Sequence, residues 1–424
     1  MKDSLKSSAW SRRQFLYTGL AFGSRPLFAL SPRDDNRLTE LPSWSRGELE
    51  IHHIDTGRGN ATFLLAPDGT TMLIDCGTSS GSSETLAPAR PDGSKEPGEW
   101  VARYALERAR AAGRTTLDYM VATHVHPDHV GDLPPNTALS RDGSFIPTGL
   151  SQVDQLMPAA VVIDRSFPDY GHLPPLQAGF AANYLAWLAA RRRAGKRVEK
   201  LDVGSSQQIV LRSPHKAPAF SVRGLAANGR VWTGGGTGTR SIFPDLSSVP
   251  NESRPSENPC SIALRIDYGR FSYFTGGDLN ADTHDGRESW LDVETPAVEA
   301  CGRVEVAVAD HHAYFDSCGP RFVRNLNAQA YIIPSWHLTH PGQAQLERLV
   351  GAWPGEKHHD VFAIEMLPAN QLLNSRWLKD MRSTLGHVVV RVAADGLTYK
   401  IFVVDSTTEH GAVKSTHGPY TCRV

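Results

Sequence analysis

The sequence predicts an α/β protein made of two mixed sheets covered by helices. Short alternating apolar runs cluster near both ends of the chain. Between them strands alternate with segments of helical period, and with strands opening and closing the chain, two mixed sheets covered by helices fit better than a doubly wound parallel sheet. One loop dominates the rest: Thr123-His124-Val125-His126-Pro127-Asp128-His129 follows the apolar run Leu117 to Ala122 and places three imidazoles and a carboxylate within six residues.

Leu49 to Ile54 reads as the first strand, and the Gly-rich turn Asp55 to Asn60 leads to a second at Ala61 to Ala66. Pro67-Asp68-Gly69 is a turn signal, and a third strand, Thr71 to Ile74, ends at Asp75-Cys76-Gly77. Trp100, Val101, Tyr104, Ala105 and Ala109 recur at helical spacing, and Gly113 is placed to terminate that helix. Leu117 to Ala122 then delivers the histidines. Further on come a strand at Ala160 to Ile163 and a helix carrying Leu176, Phe180, Tyr184 and Leu188, which ends in the basic run Arg191 to Arg197. That run reads as a solvated helix end complementing the dipole. Ser261 to Ile266 and Phe271 to Thr275 form a hairpin pattern about Asp267-Tyr268-Gly269, followed by a helical stretch near Trp290. Val304 to Ala309 and Ala330 to Ile333 read as strands ending in histidine-bearing loops, and His387 to Ala393 with Thr398 to Val404 read as a closing hairpin.

With 424 residues, 40% hydrophobic and 21% charged, the chain can bury a large core in one big domain or two ordinary ones. A formal charge of −1 provides no global field for nucleic acid. The five cysteines show no paired C-x-x-C spacing, which excludes a zinc ribbon and a dense disulfide framework. Ser11-Arg12-Arg13-Gln14-Phe15-Leu16 precedes a modestly apolar segment broken by Arg25 and Pro26, too short to span a bilayer. It resembles a twin-arginine export signal, which implies an exported, periplasmic protein with no stable membrane insertion of the mature chain. The domain reading is a signal over 1–30, a linker over 31–47, a catalytic domain over 48–405 with a long insertion around 132–259, and a tail over 406–424.

Imidazoles with a neighbouring carboxylate form a ligand set for zinc and similar cations. His124 and His126 leave a strand end two residues apart and can point at one ion, while Asp128 and His129 reach a second position. Asp278, in Thr275-Gly276-Gly277-Asp278, can bring an oxygen between two cations because glycine permits close approach. His311 and His340 emerge at strand ends. Asp75 ends a strand near the histidines and suits orienting a ligand by a hydrogen bond.

These stretches resemble the metallo-β-lactamase superfamily, and more narrowly the soluble domain of the DNA-uptake protein ComEC and its stand-alone relatives. The resemblance rests on Ile51 to Asn60, Leu73 to Gly77, the histidine loop, Glu257-Asn258-Pro259-Cys260-Ser261, Gly276-Gly277-Asp278, His311-His312 and His340-Pro341. It implies a four-layer αββα sandwich and a metal-dependent hydrolase carrying two divalent ions, zinc or alternatively manganese. The implied ligands are His124, His126, Asp128, His129, Asp278, His311 and His340, with Asp128 and His311 also catalytic; Asp75, Asn258, Ser261, Asp55 and His312 would orient ligands or meet substrate. The chain departs from the ComEC pattern at His126 and Asn60, where aspartate is usual, and at Ala313, where glycine normally follows the histidine pair. No third histidine for the first metal is evident; His172 and His215 read as surface loop residues, and the resemblance sets Asn258 and Ser261 near that position. His52, His53, His337 and His387 read as core or supporting groups.

Two adjacent cations activate water near neutral pH and suit in-line phosphoryl displacement. The expected activity is therefore metal-dependent hydrolysis, and the narrower resemblance implies a phosphodiester as its substrate, in a small molecule or an oligonucleotide. The alternatives are an exported β-lactamase or lactonase, and a non-catalytic metal-binding module.

Overall fold

Leu49, Ile51, Leu64, Met72 and Ile74 face one way from their strands, while Phe63, Leu65 and Leu73 face the other. Both faces of these strands are buried, so each sheet needs a covering layer on either side. The computed structural model describes residues 40–423 except 82–83, 136, 172, 175, 177–178, 214–217 and 352–357, all within the unit Arg37–Val424. The export-signal reading over 1–30, His172 and His215 lie outside the described residues.

The first sheet takes β1 (Leu49–His53), β2 (Thr62–Leu65), β3 (Thr71–Ile74), β4 (Leu117–Val121), β5 (Ala159–Asp164) and β6 (Arg197–Lys200). The second takes β7 (Phe220–Ala227), β8 (Arg230–Trp232), β9 (Thr239–Ser241), β10 (Ala263–Tyr268), β11 (Phe271–Thr275), β12 (Val306–Val308), β13 (Ala330–Ile333), β14 (Asp360–Ala363) and β15 (Met381–Ser383). The chain then returns to the first sheet with β16 (His387–Val392), β17 (Thr398–Val404) and β18 (Val413–Thr421). Each sheet has nine strands, in the orders β18-β17-β16-β1-β2-β3-β4-β5-β6 and β15-β14-β13-β12-β11-β10-β7-β8-β9. Both are mixed: β3 to β6 run parallel in one and β11 to β15 in the other, with antiparallel pairs beside them.

Side chains from both sheets, among them Ile51, Leu64, Ile163, Ile266, Tyr273, Phe362, Val390 and Ile401, form the central core between them. Outside the first sheet pack α1 (Pro97–Ala109), the single turn α2 (Pro127–Val130), α3 (Gly149–Leu156) and α4 (Gly179–Arg193). Outside the second pack α5 (Glu294–Cys301), α6 (Pro320–Leu326) and α7 (Gln343–Leu349), with the short α8 (Pro368–Leu373) further along the chain. This is the αββα sandwich of the metallo-β-lactamase type.

Helix α1 ends as its sequence implies: Gly113 takes the left-handed conformation at φ 66° after one 3-10 turn. The hairpin about Asp267 to Gly269 is present, with Leu264 opposite Thr275 and Tyr268 opposite Phe271. Segment 132–259 supplies β5 and β6 to one sheet and β7 to β9 to the other, and 406–424 contributes β18. All five cysteines are free and buried. Among the described residues no helix is long and apolar enough to cross a membrane.

Candidate metal centre

The loops that leave the C-terminal ends of β3, β4, β11, β12 and β13 carry the titratable groups. After β4 the chain bends over residues 124–126, His126 itself is extended (φ −121°, ψ 157°), and Pro127 then opens α2. The bend brings the two rings together, and His124 Nε2 lies 3.0 Å from His126 Nδ1. The helical turn then swings Asp128 and His129 to a second position. The loop is held by backbone donors from its neighbours: Asn60 N–H to Asp128 O (2.8 Å), Cys76 N–H to His129 O (2.8 Å) and Thr78 N–H to Pro127 O (3.0 Å). Gly77 lies so close that a Cβ there would sit 2.0 Å from Asp128 O.

Asp75 occupies the left-handed region at φ 60°, an uncommon conformation for a non-glycine residue. Its Oδ1 accepts the Thr123 N–H (2.8 Å), and its Oδ2 accepts the Thr123 hydroxyl (2.7 Å) and His129 Nδ1–H (2.8 Å). A histidine that donates from Nδ1 to a carboxylate turns Nε2 toward a ligand. Asp278 enters from the opposite sheet through Gly276-Gly277. Gly277 has φ 59°, and a Cβ there would meet Thr123 Cβ at 2.9 Å. Ser261 Oγ accepts the Asp278 N–H at 3.2 Å.

Two groups of donor atoms result: Asp128, His129, Asp278 and His312 in one, and His124, His126 and Asp278 in the other. Asp278 belongs to both. Its Oδ1 lies 3.0 Å from His129 Nε2 and 3.6 Å from His312 Nε2, while its Oδ2 lies 3.6 Å from His124 Nε2 and 3.7 Å from His311 Nε2. His129 Nε2 and Asp278 Oδ1 are buried and neither makes a hydrogen bond. Buried polar atoms are rarely left so. Converging nitrogens and oxygens, with His129 Nε2 and Asp278 Oδ1 left without a hydrogen bond at their centre, fit a divalent cation, and the mixed imidazole and carboxylate set suits zinc-like ions.

The electrostatics agree. Burial alone would raise the Asp278 pKa, but His129, His312, His311 and His124 hold it well below the usual carboxylate range. Burial likewise opposes ionisation of Asp128, and His129 and His312 hold it down. Burial would lower His129, yet Asp278, Asp128 and Asp75 raise it well above the ordinary imidazole value. His312 is raised to about 9 against its burial, chiefly by Asp278 and Asp128. His124 falls well below its ordinary value through burial and the neighbouring His129. The same negative field that favours protons on His129 and His312 would favour a cation.

The structure thus gathers His124, His126, Asp128, His129 and Asp278, and adds His312, which the resemblance assigned to ligand orientation or substrate. His312 Nε2 lies 2.9 Å from Asp128 Oδ2, and its Nδ1 faces Pro334 O at 2.9 Å. His311 stands at the edge of the group of His124 and His126, its Nδ1 2.6 Å from Asp316 Oδ1 and its Nε2 3.2 Å from Asn258 Nδ2. His340 enters neither group; it is buried behind His312, its ring stacked at 4.6 Å and 15°. The cause is a turn no pattern revealed: His311, His312 and Ala313 all have positive φ, 44°, 55° and 57°. This turn sends adjacent histidines to different oxygens of Asp278. Ala313, the departure from glycine, nonetheless adopts the glycine-like conformation.

Asp55 lies apart, its Oδ1 accepting the Gly57 N–H and its Oδ2 the Ser406 hydroxyl. His52 bonds Glu50 and Tyr104, His53 lies near Thr62 and Tyr273, and His387 Nδ1 accepts the Asp55 N–H. His337 contacts Thr339. None of these four histidines belongs to a metal-capable group among the described residues.

Residues 54–138 match the family model of the metallo-beta-lactamase superfamily. No curated protein sequence matches the chain. Solved structures similar to it include a protein named as a metal-dependent hydrolase from Parabacteroides distasonis (10% identity, 75% of this chain and 94% of that one, TM-score 0.35). Others are a diphosphatase of the PhnP family (11%, 74% and 95%, 0.30) and the short form of human tRNase Z (13%, 67% and 91%, 0.27). At these scores the fold rests on the strand order and layers described above. The matched segment holds the histidine loop, and with the αββα architecture it supports placement in the metallo-beta-lactamase superfamily.

Proposed function

We propose that this chain is a hydrolase that uses two divalent cations, zinc or alternatively manganese, to cleave a phosphodiester in a small molecule or an oligonucleotide. The observation carrying this reading is the Asp278 carboxylate, whose two oxygens face separate clusters of imidazoles. His124, His126 and His311 would hold one cation, Asp128, His129 and His312 the other, and Asp278 both. His311, already among the expected ligands, would then be the third imidazole of the first metal that spacing left unassigned, with Asp316 at its Nδ1. Such a pair of cations would polarise the attacked phosphorus centre and ease deprotonation of water.

The protein's own groups do the rest. Asp75 keeps His129 turned toward Asp278. Asp128, the carboxylate nearest His312 Nε2, is the group assigned to take a proton from the attacking water. Asn258, at His311 Nε2, stands where it can meet substrate. The ComEC-like motifs favour a phosphodiester over a lactam or lactone, and the Ser11-Arg12-Arg13 pattern favours export to the periplasm through the twin-arginine route.

Purified protein loaded with zinc or manganese should hydrolyse bis(p-nitrophenyl) phosphate or single-stranded DNA, and lose this in both His126→Ala and Asp278→Ala. Turnover confined to a chromogenic β-lactam or a lactone would transfer the assignment to those substrates. Full cation loading with no turnover of any of the four would leave a binding module.

A further inference from the structure

The peptide between His124 and His126 is buried, with Val125 only 1% exposed. A buried backbone N–H needs an acceptor, and no strand neighbour provides one. Val125 N–H instead donates to Glu257 Oε1 at 2.9 Å, across 132 positions of sequence. Two residues earlier, Thr123 O accepts the Ile262 N–H at 2.9 Å. The segment 257–262 therefore grips the histidine loop on both sides of His124.

Glu257 is itself clamped. Arg165, buried at the end of β5, donates from Nε to Oε1 (2.6 Å) and from Nη2 to Oε2 (2.7 Å). Its Nη1 donates to Asn228 Oδ1 (2.9 Å), Asn228 Nδ2 returns a bond to Arg165 O (2.6 Å), and the Tyr170 ring lies 4.7 Å from the guanidinium carbon. A planar fork on a carboxylate fixes orientation as well as charge. A buried ion pair is weak evidence for stability, because desolvating both charges offsets their attraction. Its value here lies in where it points: Glu257 holds the loop of His124 and His126, and the adjoining Asn258 meets His311.

We propose that Arg165 and Glu257 are positioning residues for the first cation, setting the spacing of His124 and His126 without touching the ion. The inference rests on the two-cation reading above. Two double variants isolate it: Arg165→Met with Glu257→Gln removes both charges and keeps an oxygen for Val125, while Arg165→Met with Glu257→Leu removes that oxygen too. Zinc is titrated into each against a chromophoric chelator, with His126→Ala marking the affinity of the second site alone. The leucine double variant should bind the first equivalent about 10- to 100-fold more weakly, the scale for losing a group that orients a ligand. Its second equivalent should stay unchanged, and the glutamine double variant should lose less.

Equal weakening of both equivalents, no weakening, or identical behaviour of the two double variants would overturn the proposal. If the leucine variant does not fold, Arg165→Lys, which keeps the charge and loses the fork, must still weaken the first equivalent selectively; unchanged binding there also overturns it. Wild-type protein binding fewer than two equivalents removes this inference with the two-cation reading. Two equivalents bound without phosphodiester turnover would sink the substrate assignment alone.

Discussion

Asp278 Oδ1 lies 3.0 Å from His129 Nε2, both atoms buried and neither hydrogen-bonded. The other oxygen of the same carboxylate faces His124 and His311. A single side chain from β11 thus joins groups delivered by β4 and β12.

Asp278→Asn should therefore damage both cation positions together. Equilibrium dialysis with metal analysis should show both equivalents weakened, and phosphodiester turnover should fall by more than about 100-fold, the scale seen when one group stabilising a transition state is removed. Loss of one equivalent with the other intact would contradict the shared role.

Asp75 acts one step further out. Asp75→Asn keeps an acceptor for the Thr123 N–H but removes the charge that holds His129 Nδ1–H. Affinity for the cation beside His129 should fall about 10- to 100-fold, while the position of His124 and His126 is spared. A competitive zinc titration reads the difference.

Gly277→Ala would place a methyl 2.9 Å from Thr123 Cβ and 3.2 Å from Ser261 Cβ, at φ 59°. Overpacking and the left-handed backbone each act against it, so the apo protein should lose about 1–3 kcal/mol. Denaturant unfolding should show a lower midpoint, and the Asp278 displacement should weaken both cations.

Acid should destabilise the fold through two histidines remote from the cation groups. His53 and His387 are pushed down to about 3, mainly by burial and then by His52. The unfolded chain protonates them near the ordinary 6.5, so between pH 6.5 and 3 the unfolded state binds more protons and stability falls as pH falls. Each contributes a slope of up to about 1.4 kcal/mol per pH unit. Chelator-treated His53→Gln should show a shallower fall in melting temperature across that window than the wild type.

Local chemistry made much of this protein legible. β3 and β13 match the residues read as strands, as does β17, because each is a short apolar run bounded by turn residues. The histidine loop declared itself by density, and Gly276-Gly277 marked a close backbone approach that the structure bears on Thr123. β8 and β9 were harder to see, since short strands with few apolar residues in a Gly-rich stretch carry little alternation. β18 was missed for the same reason: its exposed and half-buried edge pattern, Val413 to Thr421, reads as a polar tail.

The sequence by itself determined the fold class, the loop that brings three imidazoles and a carboxylate together, and the glycines that admit Asp278. These depend on neighbours within a few residues, so spacing is enough to reveal them. Only the tertiary structure decided that His312 joins Asp128, that His340 stacks behind it, and that Glu257 reaches Val125. Those outcomes turn on three consecutive left-handed residues and on contacts across more than 100 positions. Packing of the two sheets sets that geometry, and no local periodicity encodes it.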